Sequence, residues 1–125
     1  MQDLFNVKGK IVLITGSARG LGNTYAKGFA SAGAHVIIND LAEDSVDKAV
    51  QDLTSQGLKA SGYAFNVTNS KEIEEAIGNI ENDIGEIDVL INNAGIQRRG
   101  PLEDLSDSDW QAVIDVDLSA AFYMA

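Results

Sequence analysis

The sequence predicts an α/β protein built on a doubly wound parallel sheet, with about four strands and flanking helices. Short apolar runs rich in β-branched residues alternate with longer amphipathic stretches. Each of the first three amphipathic stretches is closed by a glycine: Gly33, Gly57 and Gly85. The apolar runs are nearly continuous, as in strands buried on both faces, and right-handed crossovers set the hand of each unit.

In chain order, "KIVLITG" reads as a first buried strand, followed by a helix over residues 21–32. "AHVIIND" is the second strand. Residues 43–56 place Val46, Ala49, Val50 and Leu53 at helical spacing. "KASGYAFNV" is the third strand. Residues 69–84 then put Ile73, Ala76, Ile77, Ile80 and Ile84 on one stripe. "IDVLINNAG" is the fourth strand, expected at a sheet edge. A last helix begins near Ser106, where "SDSD" offers an N-cap and early acidic groups. Its expected apolar stripe is Trp110, Val113, Ile114, Leu118, Ala121 and Phe122, with Trp110 in the core. The stripe is still running at Ala125, so residues 1–125 are expected to be one dinucleotide-binding domain truncated within a helix.

Composition narrows the function. With 45% hydrophobic and 22% charged residues, the 125-residue chain can bury one core. It has no cysteine, which removes disulfides, thiolate metal sites and cysteine nucleophiles; no metal site is expected. A net charge of −10 argues against a nucleic-acid partner. That charge is uneven: seven basic and six acidic residues precede Glu72, and two basic and thirteen acidic residues follow from there. Solvated helix faces account for it. The start "MQDLFNVKGK" has no signal-peptide core and no 18-residue apolar run occurs, so a soluble, cytoplasmic protein with no membrane partner is expected.

The stretch "ITGSARGLGNTYAKGF" joins the first strand to the first helix and holds Gly16, Gly20 and Gly22. Backbone N–H groups at a helix N-terminus attract anions, and glycine lets a pyrophosphate approach. The spacing is Gly-x3-Gly-x-Gly; Tyr25 stands where the more familiar Gly-x-Gly-x-x-Gly fingerprint has its third glycine. Asp40 closes the second strand about 20 residues further on, the spacing seen in dinucleotide sites of the Rossmann type. A packing turn is the alternative. Asp40 suits the ribose hydroxyls of NAD and repels a 2′-phosphate, with helix capping its alternative role. Arg19 can instead pair with that phosphate, or simply be solvated. The reading is NAD or NADP, leaning to NAD.

"TGSARGLG" (Thr15–Gly22) together with "NNAG" (Asn92–Gly95) resembles the short-chain dehydrogenase/reductase family, and the resemblance covers essentially the whole chain. It implies that Gly16, Gly20 and Gly22 line the pyrophosphate. It implies that Asn93, Ala94 and Gly95 pack at the adenosine side and tie the fourth strand to the sheet. Asn66, in "FNVT", takes the place of an aspartate that usually contacts the adenine. Ser17, Leu21 and Val67 are carried with these as candidate cofactor-binding residues. Asn66–Thr68 also spells a glycosylation sequon, which a cofactor-lining strand makes a coincidence.

Within the family, "NNAGIQRRGPL" and the opening "DLFNVKGK" are similar to gluconate 5-dehydrogenases, which interconvert gluconate and 5-ketogluconate. The resemblance implies a sugar acid as substrate. Arg98 and Arg99 are the only basic residues after Lys71, and one of them can hold a carboxylate; two solvated loop arginines are the alternative. It also implies a homo-oligomer, dimer or tetramer, paired through the last helices.

The family's chemistry uses a tyrosine, a lysine four residues later and a serine. Here Tyr25 is followed four on by Phe29, Tyr63 by Val67, and Tyr123 stands two residues before Ala125. This chain alone is therefore expected to be inactive. Asp117, in "VIDVDLSAAF", stands where most members have an asparagine that holds a relay water, and is the one candidate catalytic residue present; a helix-edge aspartate reaching solvent is the alternative. His35 is expected to be structural.

Overall fold

The structure is a computed structural model that describes residues 4–125; Asp3, the first residue of the "DLFNVKGK" likeness, lies outside them. Four parallel strands form one sheet in the order β3-β2-β1-β4: β1 (Ile11–Ile14), β2 (His35–Asp40), β3 (Ala60–Ala64) and β4 (Val89–Ile91). Leu13 pairs with Ile37 on one side and Leu90 on the other, which sets the register. Helices α1 (Gly20–Ser31), α2 (Glu43–Thr54) and α3 (Ser70–Asp83) form the three crossovers. After β4 come a 3₁₀ turn (Leu102–Asp104), α4 (Asp107–Ile114), a π-helical turn (Asp115–Ser119) and α5 (Ala120–Met124).

The period of two along each strand divides the core. Val12, Ile14, Val36 and Ile38 face α1 and α2, meeting Ala26, Ala30, Val46, Ala49 and Leu53. Leu13 and Ile37 face the other way, toward Ile73, Ala76 and Ile80 of α3 and Ala120 and Met124 of α5. The sheet is thus covered on both sides, the doubly wound arrangement expected. Asn69 caps α3, its Oδ1 accepting from the N–H of Lys71 and Glu72, and Ser106 caps α4 through the N–H of Asp109.

The last helix differs from expectation. Trp110 is 59% exposed, Leu118 65% and Phe122 80%, so they form no core stripe. The expectation assumed an unbroken 3.6-residue period. The π turn carries one extra residue, and one residue is about 100° of helix rotation, which shifts the residues after it; Trp110 precedes the turn, in a helix that buries none of its residues. The inward pair after it is Ala120 and Met124, not Ala121 and Phe122. Among the described residues no helix is long and apolar enough to cross a membrane.

Candidate functional site

All four strands end at one rim, because all four are parallel. A cleft of about 530 Å³ runs along it, within the range of small-molecule sites. Gly16, Arg19 and Leu21 enter it from the β1–α1 turn, and Asn39, Asp40 and Leu41 from the end of β2. Phe65, Asn66 and Val67 follow β3, and Asn93–Gln97 follow β4. Val116 and Asp117 close it from the π turn.

The three glycines of the turn act differently. Gly16 has φ 61°, and a Cβ there would lie 2.9 Å from the Ala94 Cα, so a side chain would meet the loop after β4. Gly20 has φ 62° with nothing within 4 Å of a Cβ; the backbone conformation alone asks for glycine. Gly22 is buried behind the turn, where a Cβ would strike the Asn93 amide and lie 2.5 Å from the Gly16 carbonyl oxygen. Gly20 and Gly22 shape the turn from outside the cleft wall.

Ser17 is likewise behind the wall, fully buried. Its hydroxyl donates to the Ile14 carbonyl (2.7 Å) and accepts from the Asn39 N–H (3.1 Å), while its own N–H donates to the Asn39 carbonyl (2.7 Å). Asn39 completes the lattice. Its Oδ1 accepts from the Gly16 N–H, and its Nδ2 donates to the carbonyls of Tyr63 and Phe65. One buried amide thereby ties the turn after β1 to the end of β3. Sequence reasoning passed over Asn39, a polar residue closing a β-branched run; that contrast was the available signal.

Asp40 is anchored by two backbone donors, Ala18 N–H at 3.4 Å and Leu41 N–H at 3.0 Å. Asn66 Oδ1 accepts from the Thr68 N–H and hydroxyl, which leaves its NH₂ group free to donate. Helix α1 begins at the turn with no side-chain cap and no acidic residue in its first turn. Its first N–H groups are therefore bonded to no side chain among the described residues, with the Asp40 carboxylate the nearest charge shown there, on the Ala18 N–H.

The loop after β4 is tied back by a second residue that the sequence did not single out. Thr15 Oγ1 accepts from the N–H groups of Asn93 and Ala94, both at 3.0 Å. Asn93 Nδ2 donates to the carbonyls of Thr15 and Gly16, both at 3.1 Å. This is the tie of the fourth strand to the sheet that the resemblance implied. Further along, Asp117 Oδ1 accepts from the Ile96 N–H at 2.9 Å, joining the loop to the π turn.

Arg98 and Arg99 are not on the cleft wall. Arg98 donates to the Gln97 carbonyl and lies 3.5 Å from Asp109, and Arg99 Nε donates to the Gln97 side chain. His35 sits at the opposite rim, its Nε2 2.8 Å from the Ser61 hydroxyl; burial, and secondly the charge of Lys59, hold its pKa below the ordinary value. Among the described residues no cluster of three His, Asp or Glu side chains is placed to hold a metal.

Chemically, the cleft offers an uncapped helix N-terminus for an anion, an anchored carboxylate one strand away for hydroxyl groups, and a free amide beyond it for a heteroaromatic edge. The family model for short chain dehydrogenases matches residues 10–125. The chain is 46% identical over its full length to the 5-keto-D-gluconate 5-reductase of Escherichia coli K12, covering 49% of that enzyme. It is 45% identical over 98% of its length to the 2-dehydro-3-deoxy-D-gluconate 5-dehydrogenase of Formosa agariphila, covering 47% of it. A gluconate 5-dehydrogenase from Burkholderia cenocepacia J2315, solved in complex with NADP and tartrate, superposes with a TM-score of 0.92 at 41% identity, over 98% of this chain and 48% of that one. The chain spans about half the length of the curated relatives it matches.

Proposed function

The chain belongs to the short-chain dehydrogenase family, and on that premise we propose that residues 1–125 are the dinucleotide-binding part of an NAD(P)-dependent oxidoreductase acting on a sugar acid of the gluconate type. One observation carries the proposal: the uncapped N-terminus of α1 opens beside Gly16, whose φ of 61° and closeness to Ala94 leave no room for a side chain, with Asp40 anchored at the next strand tip. These residues fit a dinucleotide. The α1 N–H groups would hold the pyrophosphate, with Gly16, Arg19 and Leu21 beside it; Asp40 would accept from the ribose hydroxyls, and Asn66 and Val67 would meet the base. When bound, the nicotinamide supplies the hydride acceptor or donor.

Asp40, held by two backbone donors, favours NAD because its charge repels a 2′-phosphate, while the exposed Arg19, whose side chain has no hydrogen-bonded partner among the described residues, is free to take one. The NADP complex of the Burkholderia enzyme supports the other choice. Asn93, Ala94 and Gly95 remain proposed cofactor residues, but at the tip of β4, across β1 from Asp40, they would meet the nicotinamide half and not the adenosine; Asp117 holds the Ile96 N–H there in place of the family's asparagine. Arg98 and Arg99, just past Gln97, are proposed to meet the acid's carboxylate. A second copy of the chain is proposed to cover Trp110, Leu118 and Phe122.

Calorimetric titration of NAD and NADP into the 125-residue chain tests the reading. Saturable binding is expected, weakened tenfold or more by Gly16→Ala, which combines a left-handed φ with a collision at Ala94. Binding unchanged in the variant, or absent from the parent chain, would refute it. Adding gluconate to the same solutions is expected to yield no reduced cofactor, since no tyrosine here stands four residues before a lysine.

A further inference from the structure

We propose that Asp117 biases the cleft toward the oxidised, cationic form of the nicotinamide ring over the neutral reduced form. This rests on the reading of the cleft as a dinucleotide site. The strand order places Asn66 and Asp40 at the tips of β3 and β2, and the α1 N-terminus at β1. With adenosine at Asp40 and the pyrophosphate at α1, the remaining half of the molecule must extend past β4. The wall there is Ala94–Gln97, Val116 and Asp117, and Asp117 is its only charged member.

Three features make that charge effective. Asp117 Oδ1 is fixed by the Ile96 N–H, so the carboxylate keeps its place. Its other oxygen has no hydrogen-bond partner among the described residues. No cation pairs with it among the described residues; Arg98 and Arg99 are engaged with Gln97 and Asp109. An oxidised ring carries a positive charge and a reduced one does not, so their Coulomb energies with a fixed carboxylate differ. Because Asp117 is exposed, solvent keeps the difference modest.

The net charge of −10 favours the less anionic, oxidised dinucleotide everywhere on the molecule, and the experiment must subtract that background. Asp115 serves: it lies on the same π turn, is bound to Gln111 and is absent from the wall. Dissociation constants are measured for NAD⁺ and NADH, and for NADP⁺ and NADPH, with the parent chain, Asp117→Asn and Asp115→Asn. Asp117→Asn keeps an acceptor for Ile96 and is expected to lower the preference for the oxidised form about two- to fivefold; Asp115→Asn is expected to leave it nearly unchanged. Equal preference in parent and Asp117→Asn, or equal loss in both variants, overturns the proposal. If the parent binds neither form, the reading of the cleft fails and this proposal with it. Should Asp117→Asn lose its cooperative melt, Asp117→Ser, which removes the charge and keeps an oxygen near Ile96, is measured in its place: a preference lowered about two- to fivefold supports the proposal, and an unchanged one overturns it.

Discussion

The two ends of the cleft are held by different means. At the β1–β2 end the strand residues Val12–Ile14 and Val36–Ile38 are fully buried, and Ser17 and Asn39 lock the turn through bonds within the interior. At the β4 end all three strand residues are only half-buried, and the loop that follows is joined to the buried Thr15 through the half-buried Asn93 and Ala94 and to the exposed Asp117 through Ile96. Interior hydrogen bonds exclude water and leave their partners stranded if broken; exposed ones exchange with water at small cost. The β1–β2 end is therefore preformed, and the β4 end is the part able to adjust.

The largest expected effect comes from attacking the rigid end. Asn39→Leu strands the Gly16 N–H and the carbonyls of Tyr63 and Phe65. Denaturant unfolding is expected to show a loss of about 4 kcal/mol. A loss under about 1 kcal/mol would erase the distinction between the two ends.

Gly22→Ala strikes the seam between them, driving a methyl group against the Asn93 amide and the Gly16 carbonyl. A loss of about 3 kcal/mol is expected. Gly28→Ala, in the same helix with open space around it, should instead raise stability by up to about 1 kcal/mol. Equal effects at the two glycines would show that helix propensity, and not the seam, governs this region.

The smallest effect belongs to the adjustable end. Thr15→Val removes the acceptor for Asn93 and Ala94, and about 1–2 kcal/mol should be lost. Hydrogen exchange is expected to quicken in the loop after β4 while the amides of Gly16 and Asn39 stay protected. Quickening that spreads to Gly16 would mean that the two ends open as one unit.

Much of this was legible in the residues. Alternating apolar runs and closing glycines predict the strands and helices in order, because both periods are local properties of the chain. Asp40, Asn93 and Asp117 reach the cleft wall as the motifs suggest. Asn39 and Thr15 escaped notice because their partners lie 23 to 26 and 76 to 79 residues away, where no local pattern reaches. Ser17 and Gly22 share a motif with Gly16 but are buried behind it, while Gly20 is exposed at the start of α1; spacing cannot tell a lining residue from a supporting one. The arginine pair was read from its charge; Arg98 meets Gln97 and Asp109 and Arg99 meets Gln97 at exposed positions just past the wall, contacts that no charge count predicts. The π turn is invisible to a search that assumes a constant helical period.

That turn uncouples two stretches of what is otherwise a single rod. Up to Ile114 the rod buries no residue, and from Ala120 it turns Ala120 and Met124 toward the sheet and α3, with the phase reset in between. Each stretch can accumulate substitutions suited to its own surroundings without rotating the other out of alignment, and the carboxylate at the joint is aimed independently of both.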